Sequence, residues 1–159
     1  MGLDNLNNLI DSLERFDAHE ELRVIVENNT DAIAELQKQQ MADGVDSDGN
    51  DTQLKDNGAW NFGYRPFTIK QKEKYGSGLG AVTDRVTGYM TGELYDKLAV
   101  KMTGDEFAQT SGVQYFSDLL SRTGGQWMGL NLQSRIYFGE EVTLPQFAKV
   151  LEEKTGLVL

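Results

Sequence analysis

The sequence predicts an α+β fold: N-terminal helices, a central antiparallel β-hairpin and C-terminal helices. Three observations carry this. Leu98, Val100 and Met102 alternate strictly with Ala99 and Lys101, which puts the apolar side chains on one face of a strand. Apolar residues recur at helical spacing both before and after that stretch. Between the first helices and the hairpin lies a run rich in Gly, Asp and Asn, the residues of turns and loops. Helices, then strands, then helices is the order of an α+β domain.

Taken in order, Leu3 to Phe16 is amphipathic, with Leu3, Leu6, Leu9, Ile10, Leu13 and Phe16 on one stripe and Asp11, Glu14 and Arg15 off it. A second helical segment runs from about Asp17 to about Met41. Leu22, Ile25, Val26, Ile33, Leu36 and Met41 form its stripe. Asn28-Asn29-Thr30-Asp31 interrupts it, because short polar side chains compete for backbone hydrogen bonds, so a kink or cap is expected there with Thr30 or Asp31 as N-cap. Residues 1–41 thus read as a helical arm and 42–159 as an α+β core, within one domain.

From Ala42 to Gly63 the periodicity is lost and a loop is expected. Asp46, Asp48 and Asn50 match the first ligand positions of a calcium-binding EF-hand loop. Asp51 stands where that loop needs Gly, and Asn57 where it needs Glu, so a polar turn is the reading. Trp60, Phe62, Tyr64 and Phe67, interleaved with Arg65, Lys70 and Lys72, have the composition of a stacking platform for single-stranded nucleic acid. Aromatics that anchor a loop on a core have the same composition, and that is the commoner arrangement. Pro66 opens a short helix through Lys74. Gly76, Gly78 and Gly80 have neither the spacing of a dinucleotide fingerprint nor a following Lys-Ser or Lys-Thr, so residues 76–80 read as a flexible connector.

Thr91-Gly92 leads into the hairpin. Leu94 and Tyr95 are read with the first strand, Thr103-Gly104-Asp105 as its turn, and Glu106 to Thr110 as the returning strand. Val113 to Arg122 has helical spacing and closes at Thr123-Gly124-Gly125. Thr143 reads as the N-cap of a last helix with Pro145 in its first turn, and Gly156 as its stop.

The chain has 159 residues, one domain's worth, and no cysteine, so disulfides, thiolate metal sites and cysteine nucleophiles are excluded. Neither a membrane-length apolar run nor a signal-peptide core is present, and Leu6 stands where an N-myristoylation signal needs Ser or Thr. A soluble, unanchored chain is the expectation. Its formal charge of -10 is uneven: residues 1–58 carry 14 acids and 4 bases, 59–101 carry 7 bases and 4 acids, and 102–159 carry 4 bases and 7 acids. An acidic arm and a basic middle attract one another between copies; a plain solvated acidic surface is the simpler account. Net acidity disfavours sequence-specific DNA binding.

Little in the sequence points to a reaction. His19, the only histidine, sits among Asp17, Glu20 and Glu21 and reads as exposed. Glu140-Glu141 reads as a solvated turn, and no G-x-S-x-G, H-E-x-x-H or phosphate-loop pattern is present. The expectation is no enzyme, with no catalytic, cofactor-binding or metal-binding residue assigned and no cofactor.

The run from Met41 through AWNFGY and RPFTIKQKEKYG, then TGELYDKLAVKMTGDEF, then FSDLLSRTGGQWMGLN, resembles small neck, head–tail connector and tail-completion proteins of tailed bacteriophages, nearest to those of crAss-like phages. Thr91-Gly92, Leu94-Tyr95, Thr103-Gly104-Asp105 and Gly129-Leu130-Asn131 carry it, over roughly residues 25–159. The resemblance implies a non-enzymatic virion protein, made in the host cytoplasm. It would form a homo-oligomeric ring of six or twelve copies beside portal, neck or tail proteins, with phage DNA passing through the lumen unbound. It transfers no site residues. A ring contact is head-to-tail, which suits opposite charges on one chain, and an acidic lumen would not hold phosphate. A different class of function, an acidic binding module that inhibits a host protein or mimics DNA, fits the net charge too.

Overall fold

The structure, a computed structural model, describes residues 3–52, 63–123 and 125–157. It is α+β. Helices α1 (Leu3–Arg15), α2 (Ala18–Asn28), α3 (Thr30–Asp43) and α4 (Pro66–Tyr75) lead to a single helical turn, α5 (Glu93–Asp96). The hairpin β1 (Leu98–Thr103) and β2 (Glu106–Ser111) follows, then α6 (Phe116–Arg122). Next come α7 (Leu132–Tyr137), a π-helical segment (Phe138–Thr143) and α8 (Leu144–Thr155) without an intervening loop. Contacts divide the chain into two compact units: Met1–Asn29 with Ile136–Leu159, and Thr30–Arg135. The expected arm boundary at residue 41 thus falls inside the second unit, next to the end of α3.

The first unit is helical. Asp17 caps α2 by accepting the Glu20 N–H at 3.1 Å. Asn29 ends α2: its backbone N–H donates to the Val26 carbonyl, and its carboxamide bonds Ile25 O at 2.7 Å and Gln146 at 3.1 Å. The interruption between α2 and α3 is therefore one residue, and neither Thr30 nor Asp31 lies outside the helix, as an N-cap would. Phe16 meets the edge of Phe147 at 5.8 Å between ring centres, and Ile25, Phe138 and Leu151 are buried.

Thr143 does not cap the last helix. It is helical itself, and its hydroxyl donates to the Phe138 carbonyl at 3.3 Å inside the π segment. Proline in a continuing helix collides with the carbonyl four residues back, here that of Glu141, and a widened turn accommodates it. Glu140 and Glu141 are exposed, as expected of solvated acids, but lie on this segment rather than in a turn.

The second unit is built on the hairpin. β1 and β2 are antiparallel with Leu98 opposite Ser111 and Thr103 opposite Glu106. The two-residue loop Gly104-Asp105 has φ +62° at Gly104, the geometry of a primed turn with glycine first. Leu98, Val100 and Met102 face inward, while Ala99, Lys101 and Thr103 are exposed. Helix α3 packs on β1. Met41, Leu94, Tyr95, Leu98, Val113 and Trp127 form the core.

Leu94 and Tyr95 are not strand residues. Gly92, at φ +92°, starts a helical turn through Asp96 that buries both of them. Their apolar character suits either conformation, and only the glycine distinguishes the two. The helix read from Val113 begins at Phe116. Of the expected connector 76–80, residues 78–80 form, with Ala81, a turn of 3₁₀ helix.

Candidate functional site

Pro66 begins α4 and Gly76 ends it, donating its N–H to Lys72 O at 2.8 Å. A β-carbon on Gly76 would lie 2.4 Å from Gly80 O and 2.5 Å from Lys72 O, so only glycine allows the chain to fold back here. That return places residues 87–90 beside α4. Lys72, fully buried, donates from Nζ to the Tyr89 carbonyl at 2.5 Å and sits 4.7 Å over the Tyr64 ring. No carboxylate among the described residues pairs with it. Burial holds its ammonium below the usual lysine range.

Tyr64 organises the facing loop. Its hydroxyl accepts the N–H groups of Thr87 and Gly88, both at 2.9 Å. Tyr95 donates its hydroxyl to Thr87 O at 2.8 Å and meets Tyr89 edge-on at 5.0 Å. Burial pushes the Tyr95 phenol well up, aided by the neighbouring Tyr64 and Tyr89. Gly88, at φ +64°, lies under Trp127: an added β-carbon would come within 2.1 Å of the indole.

A cavity of about 590 Å³ opens over this arrangement. Tyr64, Phe67, Tyr89, Met90, Tyr115 and Leu119 provide its aromatic and apolar wall. Its charged lining is Arg65, Lys72 and Arg122 against Asp118. Phe67, Met90 and Tyr115 are exposed at 71, 44 and 42%. The combination accepts an apolar group that carries negative charge, in a volume typical of ligand or side-chain pockets. A second cavity of about 450 Å³ lies beside Asp43, Asp51, Ile69 and Arg85. There the Arg85 guanidinium donates to Ala42 O at 2.9 Å.

Of the aromatic-basic run read from the sequence, Tyr64, Arg65, Phe67 and Lys72 converge on the first cavity, while Lys70 is exposed and absent from its lining. Tyr64 has its hydroxyl committed to the backbone, so it is an anchor of the fold; Phe67 is the ring left outward. Trp60 and Phe62 lie outside the described residues, as does Asn57 of the EF-hand comparison. Asp46 uses Oδ1 to accept the N–H groups of Asp48 at 3.0 Å and Asn50 at 2.9 Å, an Asx turn. The described residues contain no cluster of three His, Asp or Glu suited to a metal. His19 is exposed on α2. The convergence of Tyr115, just before α6, with Asp118 and Arg122 on it was not legible in the sequence. Their i, i+3, i+7 spacing is the only signal, and any helix shows such spacings.

No helix among the described residues is long and apolar enough to cross a membrane. No known protein family, characterised protein or solved structure matches the chain.

Proposed function

We propose that this chain is a non-enzymatic structural protein that assembles with copies of itself into a ring, in the neck or upper tail of a tailed phage, around the path of the DNA. The observation that supports self-assembly is the outward apolar stripe of α1. Leu6, Ile10 and Leu13 are exposed at 53, 44 and 40%, one helical turn apart on a single face. Ile136, Tyr137 and Leu144, in the same unit, are exposed at 48, 55 and 58%. Single exposed leucines are ordinary, but a stripe along one helix face is what partner helices bury. The phage neck or tail as the setting rests on the sequence resemblance.

Deletion of residues 2–16 tests the role of α1. The full chain is expected to form a large species and the truncated chain to remain small. Because the deletion also removes Phe16 from Phe147, Leu6→Ser with Ile10→Ser in the full chain separates loss of the stripe from loss of packing. A truncated chain that assembles as well as the full one removes α1 from the interface. A full chain that stays monomeric but captures a host protein supports the acidic binding module instead.

A further inference from the structure

Resting on that self-assembly, we infer that the cavity between α4 and α6 is the receptor for α1 of a second copy, so that two different surfaces of the chain meet in the contact. The two surfaces match in both respects that matter. On α1, Leu9 and Phe16 turn inward, Phe16 onto Phe147, and leave the Leu6–Ile10–Leu13 stripe uncovered. Exposed Glu14 stands about 40° around the helix from Ile10, and exposed Asp11 follows beyond it. The helix therefore offers an apolar stripe with carboxylates along one side. The cavity offers Phe67, Met90 and Tyr115, large apolar side chains exposed to solvent, together with a cationic lining in excess over Asp118.

The charge of the whole chain runs the same way. Residues 1–58 hold the entire net charge of -10, and residues 59–101, which supply α4 and the loop at Tyr89, are net positive by three. Two such surfaces on one chain attract between copies and repel when like meets like, which favours arm-to-cavity pairing over arm-to-arm and cavity-to-cavity contacts. An apolar cavity facing solvent and an apolar stripe facing solvent are each costly alone; bringing them together removes both from water. Arg122 reaches the cavity from the last turn of α6, and Lys72, fixed on Tyr89 O and the Tyr64 ring, adds a desolvated positive charge at its wall.

A charge-swap experiment tests the pairing on the full-length protein. Glu14→Lys and Arg122→Glu are made separately, and melting curves check that each is folded. Each alone is expected to need about tenfold more protein to assemble than the natural chain. Mixed in equal amounts, the two should assemble again, because each arm now finds a cavity of opposite sign. Phe67→Ser, at a side chain outside the core, should weaken assembly without a change of melting point. If the natural chain assembles and Arg122→Glu or Phe67→Ser assembles equally well, the cavity is not the receptor. An α1-to-α1 contact would show as loss with Glu14→Lys or Leu6→Ser while Arg122→Glu and Phe67→Ser assemble like the natural chain, and would overturn the inference. If the natural chain does not assemble at any concentration, the underlying self-assembly reading fails, a result distinct from either of these.

Discussion

Gln37 closes a two-bond ring with the backbone around Gly129: its carboxamide donates to Trp127 O at 3.1 Å and accepts the Gly129 N–H at 3.0 Å. One turn later on α3, Gln40 repeats the arrangement, donating to Gly129 O at 2.9 Å and accepting the Asn131 N–H at 2.8 Å. Two buried glutamines thus do for residues 127–131 what a neighbouring strand would, and pin that passage against the helix. Buried backbone groups need such partners, since a lost one costs about 1–3 kcal/mol. Gln37→Leu is expected to destabilise the protein by about 2 kcal/mol in urea unfolding. Gln39→Ala, which loses only an exposed bond to Asp43, should stay within about 0.5 kcal/mol.

Gly88 sets a steric limit in the same region. Alanine there would place its methyl 2.1 Å from the Trp127 ring at a φ of +64°. Gly88→Ala should cost about 3 kcal/mol or more and shift the tryptophan emission. Gly78→Ala, at φ +53° with nothing within 4 Å, carries the backbone strain alone and should cost about 1 kcal/mol.

Lys72 gives the stability a distinct pH dependence. Its folded-state pKa lies below the ordinary lysine value because burial penalises the charge. Between those two pKa values the unfolded chain holds the proton and the folded chain does not, so stability rises with pH across that window. Below the folded pKa the full desolvation penalty is present. Lys72→Met removes the rise: comparing urea midpoints at pH 7 and at successive steps up to pH 10, the natural protein should gain on the variant. Parallel curves would show that Lys72 titrates as it does in the unfolded chain. Tyr95, whose pKa is raised by burial, acts in the opposite direction only above the ordinary tyrosine range.

The apolar stripe of α1 should matter for assembly and not for folding. Leu6→Ser together with Ile10→Ser replaces side chains that are already exposed, so unfolding should move by less than about 1 kcal/mol. Sedimentation of the same variant should show a marked loss of large species.

Periodicity made most of this fold legible. The stripe of α1, the break near Asn29 and the inward face Leu98–Val100–Met102 all follow from residue spacing, and Gly156, at φ +75°, stops α8. What was hidden depended on contacts far apart in the chain. Gln37 and Gln40 look like surface residues of a polar helix until residues 127–131 are laid on them. Lys72 looks like one of three solvated lysines until Gly76 turns the chain back and Tyr89 closes over it. Thr143 with Pro145 has the composition of a helix start, yet the helix runs through both, as a π segment to Thr143 and as α8 from Leu144. The cavity needs α4 and α6, some fifty residues apart in the sequence, and neither helix announces the other.

The molecular mass distribution of the purified full-length chain, by mass photometry at low and high salt, tests self-assembly most directly. A discrete population of six or twelve copies at low salt, reduced when added salt screens the charges between copies, is the expected result. A single monomeric species at every concentration and salt would contradict the assembling role.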